Sequence, residues 1–202
     1  NDQRHVIFSQ RKNAMNSDQI FSYSEDFMME IINNLIKLKH DKINNPKSNE
    51  FENKLKKIIG KNYNLEDFNN LISSNDIDFK KNLEDKFKNS RDERIKILGE
   101  NQAKEIEKRI FLQSIDLNWK SHIQYLEQLR QVIGLRSYGQ RDPLIEYKKE
   151  AFNLFSDLLY KLKIDFITIL MNLKIVEENS LEKSKEKDTN IINNPKCLLL
   201  IK

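Results

Sequence analysis

Two helical patterns joined by a short turn make up the stretch that decides the fold, residues 112–159, LQSIDLNWKSHIQYLEQLRQVIGLRSYGQRDPLIEYKKEAFNLFSDLL. Apolar residues recur at steps of three and four along both patterns, as in helices that bury one face. Both patterns continue beyond this stretch, the first from residue 103 to 133 and the second to residue 176, so each helix covers about 30 residues, or roughly 45 Å. The stretch therefore predicts a long antiparallel two-helix hairpin. We expect eight large apolar residues to form the hairpin core: Leu112, Ile115, Trp119, Leu126, Leu129, Phe155, Leu158 and Leu162.

The turn between the two patterns contains residues of two kinds. Four are turn-forming: Gly134, Gly139, Asp142 and Pro143. The first glycine can end a helix, the second permits an unusual backbone angle, and an aspartate before a proline favours an extended step into the next helix. Three others are not required by the turn and are candidates for contact with a partner: Tyr138, Arg136 and Arg141. A ring on a loop is more often a contact residue than a ring in a stripe, although exposed rings also occur by chance.

Shorter helices are predicted before the hairpin. Residues 1–15 have the pattern of a helix end, and a helix with one buried face follows a predicted Ser24 N-cap. Asn, Pro and Ser residues over 40–49 indicate a loop. A helix ending at Gly60, a short capped helix and a charged helix over 76–98 complete a small helical subdomain.

Composition supports an all-α fold with much exposed helix surface. Only 38% of the 202 residues are hydrophobic and 33% are charged, with four glycines and three prolines. Alternation of β-branched residues is nearly absent, which argues against strands. Residues 177–196 are polar and highly charged and only a short apolar CLLLIK follows, so 177–202 predict a disordered tail. No apolar run reaches the roughly 18 to 20 residues that a membrane span requires.

The charge pattern gives little support to nucleic-acid binding. The net charge of +4 arises from 35 basic and 31 acidic residues, which are interleaved along both hairpin helices. A free-standing basic hairpin that binds nucleic acid, or acts as an adaptor, remains the alternative interpretation. That alternative predicts a charge stripe and a steep dependence of binding on salt. No nucleic-acid partner is expected.

Motifs for nucleotide or metal chemistry are missing from the sequence. There is no G-x-x-x-x-G-K-(S/T), no G-x-G-x-x-G and no H-E-x-x-H. Cys197 is the single cysteine, and His5, His40 and His122 are scattered. We therefore predict no catalytic residue, no metal site and no cofactor in this chain. His122 lies on an apolar face and is interpreted as a hydrogen-bonded packing residue.

The hairpin stretch and the opening residues carry a family resemblance. Residues 112–159 closely resemble the C-terminal region of the SecA family of bacterial preprotein-translocase motors, whose pattern includes D-x-x-W-x-x-H, L-R-x-x-I-x-L-R-x-Y-x-Q-x-D-P and E-Y-x-x-E. The opening NDQRHVIFSQR, residues 1–11, is similar to the end of that family's long scaffold helix. The resemblance implies four segments: the scaffold-helix end over 1–15, a helical wing over 16–99, a two-helix finger over 100–176 and a tail over 177–202.

The resemblance implies a role in moving preproteins through the SecY channel. In the family the finger lies at the mouth of that channel, and its tip tyrosine, matched by Tyr138, contacts the translocating polypeptide. The implied partners are the SecY channel complex, unfolded preprotein and the remainder of the motor ATPase. Arg136 and Arg141 would face acidic channel loops or anionic lipid, with plain solvation as the open alternative. The implied location is the bacterial cytoplasm, peripheral on the cytoplasmic face of the inner membrane.

Two departures from the family pattern limit what the resemblance implies. The nucleotide-binding folds are absent, so ATP and magnesium belong to the complete motor, and this chain is expected to be inactive as an ATPase alone. The family's cysteine-rich ending is represented only by NNPKCLLLIK, residues 193–202, with one thiol where a zinc site needs about four ligands. Zinc binding is therefore not implied. We expect the chain to be the C-terminal part of a longer protein.

Overall fold

The computed structural model describes residues 2–16, 19–44, 48–60, 64–135 and 142–175. The predicted tail over 177–202 lies outside these ranges. Within them the chain forms α-helices and no strand, which confirms the predicted all-α class. The helices are α1 Asp2–Asn16, α2 Ile20–Asn44, α3 Glu50–Ile59, α4 Leu65–Ser73, α5 Asp76–Leu98, α6 Glu100–Val132 and α7 Pro143–Asn172.

The two longest helices, α6 and α7, pack side by side. With 33 and 30 residues they are about 50 Å and 45 Å long. The ring of Phe111 on α6 lies 5.0 Å from that of Phe166 on α7, and the ring of His122 lies 5.8 Å from that of Phe155. These pairs run in opposite directions along the two helices, as an antiparallel hairpin requires.

The start of α2 differs from the prediction. The helix begins at Ile20, and Ser24 is fully buried in its second turn. The Ser24 hydroxyl donates to the carbonyl of Phe21 and to the carboxylate of Glu107. Its prediction as an N-cap is wrong because a tertiary contact, which the local sequence does not reveal, engages the hydroxyl. The helix also continues to Asn44, through residues predicted as a loop.

Two glycines follow helices with backbone angles that other residues avoid. Gly60 ends α3 with φ 82° and ψ −177°, and Gly99 separates α5 from α6 with φ 81° and ψ 157°. Both positions agree with the predicted helix ends. A Cβ atom at Gly60 would lie 1.7 Å from Oδ1 of Asn172, whereas the space at Gly99 is open. The lack of a side chain at Gly60 therefore also lets the end of α3 approach the end of α7.

One hydrophobic core joins the shorter helices to the base of the hairpin. The cluster of buried apolar residues draws on all seven described helices. On α2, the ring of Phe27 lies 5.7 Å from Phe111 and 6.3 Å from Phe166, so it contacts both hairpin helices. The segments predicted as wing and finger therefore share one core, and their division at residue 99 stays a prediction.

The part of the hairpin farthest from this core is thinly packed. We call residues 123–135 and 142–150 the distal hairpin. Of these described residues only Ile133 is buried, and none belongs to the shared core. The hairpin therefore has a base that is held by the other helices and a distal part that they leave uncovered.

Candidate functional site: the distal hairpin and its anchoring contacts

The predicted tip lies between the described ends of α6 and α7. Four of its residues lie outside the described ranges: Arg136, Tyr138, Gly139 and Arg141. Gly134 lies in a 3₁₀ turn over 133–135 that directly follows α6. On the other side Asp142 is the N-cap of α7, since its Oδ1 accepts a hydrogen bond from the backbone N–H of Leu144 at 2.8 Å, and Pro143 fills the first turn.

Large apolar side chains are exposed where the two helices end. Val132, Leu135, Leu144 and Ile145 each expose more than half of their surface. Single exposed apolar residues are ordinary, but several around one end are typical of a contact surface. A groove of about 390 Å³ opens between the helix ends and is lined by Arg130, Ile133, Pro143, Leu144 and Tyr147.

The eight predicted core residues spread along the whole hairpin. Three are buried in the shared core: Ile115, Leu158 and Leu162. Three are half-buried against that core: Leu112, Trp119 and Phe155. Two are half-buried in the distal hairpin, away from the core: Leu126 and Leu129. The ring of Phe111, which lies against Phe27 of α2 and Phe166 of α7, was not among the predicted core residues.

Gln3 on α1 contacts both helices of the hairpin. Its Nε2 donates to the carbonyl of Ala151 on α7 at 3.0 Å, and its Oε1 lies 2.9 Å from Nε2 of His122 on α6. Because an amide oxygen only accepts hydrogen bonds, Nε2 of His122 must carry the proton. The Gln3 side chain therefore fixes the position of α1 along the axes of both hairpin helices.

The surroundings of His122 favour its neutral form. The residue is 3% exposed, and its ring lies 5.5 Å from that of Trp119 and 5.8 Å from that of Phe155. Burial lowers the pKa of His122 below its ordinary value of 6.5. The predicted packing role is confirmed. Its partner Gln3 was not predicted, because 119 residues separate the two along the chain.

A buried ionic network joins α2, α5 and α6. Glu107 is fully buried, and Arg91 and Arg94 are nearly so. Oε1 of Glu107 accepts from Nε of Arg91 at 3.2 Å and from Nη2 of Arg94 at 3.0 Å. Its Oε2 accepts from the hydroxyl of Ser24 at 3.1 Å. Nη1 of Arg91 also donates to the half-exposed Glu25 at 2.6 Å.

The same network reaches α7 and two aromatic rings. Nη1 of Arg94 donates to the carbonyl of Leu170 at 2.9 Å. The guanidinium of Arg91 lies 4.3 Å from the ring centroid of Phe21 and 4.9 Å from that of Phe87. Burial lowers the pKa of Arg94, and its hydrogen bond to Glu107 raises it in opposition. Sequence reasoning missed this network because charges on helices are usually solvated and its members lie on separate helices.

A second groove, of about 280 Å³, lies between α6 and α7 at the level of Ser121 and Asp165. Across the described ranges, no three histidine, cysteine or acidic side chains come together in a way that could hold a metal ion. None of the helices in those ranges is both long and apolar enough to cross a bilayer.

Comparison with known proteins relates this arrangement to one family. The family described as SecA Wing and Scaffold domain matches residues 1–174. Protein translocase subunit SecA of Pelagibacter ubique is 60% identical over 200 residues, which cover 99% of this chain and 23% of that protein. The subunit of the same name from Thermodesulfovibrio yellowstonii is 33% identical over 188 residues, 92% of this chain and 20% of its own length. That of Caulobacter vibrioides is 34% identical over 182 residues, 87% and 19% respectively.

The chain spans about a fifth of the length of the curated relatives that it matches. The matched part contains all seven described helices, and therefore the hairpin and the contacts that anchor it. The match extends over nearly the whole chain, beyond the residues that carried the predicted resemblance. The chain therefore belongs to the SecA family, and it corresponds to the wing and scaffold region of that protein translocase subunit.

Proposed function

We propose that this chain is the C-terminal part of a protein-translocase subunit and that it couples an ATPase motor to the movement of preproteins through the SecY channel. The motor, with its ATP and magnesium, belongs to the remainder of that protein. The observation that carries the proposal is the hairpin, whose base is packed among the other helices while its distal part exposes apolar side chains. The relatives are named as translocase subunits, which supports the same role.

The hairpin suits the transmission of movement over a distance. From His122, at the edge of the shared core, to Leu135 the chain advances 13 residues, or about 20 Å of helix. Helices are rigid elements, so a displacement at the base is carried along them to the tip. We place the tip at the mouth of the SecY channel, on the cytoplasmic face of the bacterial inner membrane.

Tyr138 is the proposed contact with the translocating polypeptide. An aromatic ring offers apolar area and one hydroxyl, so it accepts many side chains without selecting one sequence. The exposed Val132, Leu135, Leu144 and Ile145 would extend this apolar surface along both helix ends. Arg136 and Arg141 would contact acidic channel loops or anionic lipid.

The test replaces Tyr138 in a complete motor that carries this segment. Tyr138→Ala should lower the rate of preprotein transport several-fold and leave basal ATP hydrolysis within about twofold, because a loop ring contributes little to stability. Tyr138→Phe should transport nearly as well as the parent, since it keeps the ring. Phe152→Ala is the matched control, because Phe152 is an exposed aromatic residue on α7 outside the distal hairpin.

Two results together would contradict the proposal. If Tyr138→Ala transports like the parent, and a photo-crosslinker at position 138 captures no preprotein, the tip does not contact the polypeptide. The alternative, a free-standing basic hairpin that binds nucleic acid or acts as an adaptor, gains no support from relatives named as translocase subunits.

A further inference from the structure

The buried network around Glu107 lies where the helices of the predicted wing meet the hairpin. Arg91 and Arg94 extend from α5 and Ser24 from α2, and all three donate to the carboxylate of Glu107 on α6. Arg94 also donates to the carbonyl of Leu170 on α7. Four helices are therefore joined by hydrogen bonds to three charged side chains.

A gain in folding stability does not by itself explain why these charged side chains are buried. Charges lose their hydration on burial, and buried ion pairs can often be replaced by apolar residues of similar size with no loss of stability. Apolar surroundings are available here, because the guanidinium of Arg91 lies against the rings of Phe21 and Phe87. Charged hydrogen bonds restrict geometry, because their lengths and angles vary little, and here those to α2, α5, α6 and α7 must be made together.

Orientation at this point has a large effect at the other end of the hairpin. Glu107 and Leu135 are 28 residues apart, or about 40 Å along the hairpin axis. A tilt of about 5° at the base would therefore move the hairpin end by about 3.5 Å. A displacement of that size is comparable to the width of a polypeptide backbone, so the orientation of the base decides what the tip can reach.

We propose that Glu107, Arg91 and Arg94 are positioning residues, which hold the hairpin in one orientation relative to α2 and α5, so that the wing sets where the tip lies. The consequence for transport rests on the proposed function. The orientation itself is a property of this chain and can be measured without the motor.

The first experiment measures that orientation by distances between two spin labels. Cys197→Ser removes the native thiol, and Lys81→Cys on α5 and Gln128→Cys on α6 provide exposed attachment sites. Glu107→Gln removes the charge and keeps the shape. A triple variant, Arg91→Met with Arg94→Met and Glu107→Leu, removes the three buried charges of the network together. Glu30→Gln is the matched control, because Glu30 on α2 pairs with Lys163 on α7 at 2.5 Å but on the exposed surface.

The parent and Glu30→Gln should each give one narrow distance distribution. Glu107→Gln should lower the melting temperature and at least double the width of the distribution. The triple variant should recover the parental melting temperature within a few degrees and keep the broad distribution, because apolar packing restores stability without fixing one orientation. A narrow parental distribution in the folded triple variant would overturn the proposal. If Glu107→Gln does not fold, the triple variant decides.

The second experiment separates the network from the proposed function. In a complete motor carrying this segment, the triple variant should lower the preprotein transported per ATP hydrolysed about fivefold and leave basal hydrolysis unchanged. If the triple variant gives a broad distance distribution and Tyr138→Ala transports preprotein like the parent, the positioning role is retained and the proposed tip contact is rejected. If the triple variant gives the parental distance distribution and Tyr138→Ala impairs transport, the tip contact is retained and the positioning role is rejected. If the triple variant gives a broad distance distribution but moves as much preprotein per ATP hydrolysed as the parent, the claim that the wing sets the working position of the tip is overturned.

Discussion

At the scale of single residues, the contact between Gln3 and His122 depends on protonation. Nε2 of His122 donates to Gln3 while the ring is buried against Trp119 and Phe155. Burial lowers the pKa of His122 in the folded chain below the value of about 6.5 that it has when unfolded. Above pH 6.5 both states are neutral, and the contribution to stability is complete. As the pH is lowered below 6.5, the unfolded chain binds the proton first. The free energy of unfolding therefore decreases as the pH decreases, until the pKa of His122 in the folded chain is reached.

We therefore predict that the urea midpoint of the parent falls between pH 7.0 and pH 5.5 by more than that of His122→Gln. Glutamine keeps a donor for Gln3 but does not titrate. His5→Gln is the matched control, because it makes the same substitution at an exposed histidine on α1. Equal dependence on pH in the parent and in His122→Gln would show that burial of this ring does not control its protonation.

At the scale of helices, Gly60 and Gly99 separate two effects of adding a side chain. Both have φ near 80° with an extended ψ, a region that costs other residues about 1 to 3 kcal/mol. At Gly60 alone, a Cβ atom would also collide with Asn172. Asn172 cannot easily move away, because its Nδ2 donates to the carbonyls of Ile58 and Thr168.

Gly60→Ala should therefore lower the free energy of unfolding clearly more than Gly99→Ala, by about 1 kcal/mol or more beyond the shared backbone strain. Urea denaturation followed by circular dichroism measures both losses. The double variant Gly60→Ala with Asn172→Ala should recover part of the extra loss, since it removes the colliding atom. Equal losses for the two single variants would mean that α3 and α7 do not meet as closely as the structure shows.

At the scale of the whole molecule, stability should follow the shared core more closely than the boundary between wing and finger. Hydrogen exchange should be slowest in the base of the hairpin, residues 103–122 and 151–172, where both helices contribute buried side chains. The distal hairpin, with one buried residue, should exchange faster although it belongs to the same helices. The short α3 and α4 should also exchange faster than the base. Uniformly slow exchange along α6 and α7 would indicate that the distal hairpin is stable without the shared core.

Local chemistry in the sequence determined which segments form helices and where several of them end. The steps of three and four that lead from Leu112 to Ile115 and Trp119 predict a helix whatever it packs against, because they need only the helical period. Gly60, Gly99 and the step from Asp142 to Pro143 act on their own backbone, so their effects are local as well. The family could be recognised for a related reason, since its pattern is dense over residues 112–159.

Only the tertiary structure decided which polar residues are buried and which helices share the core. Glu107 and Arg91 have the same local appearance as solvated residues on a charged helix, and Ser24 has that of an N-cap, whereas their burial follows from helices that meet far along the chain. Gln3 and His122 meet across 119 positions, which no local pattern encodes. Burial depends on what surrounds a side chain in space, whereas helical periodicity depends only on neighbours in the sequence. For that reason the hairpin was predictable from the sequence, and the contacts that hold and orient it were not.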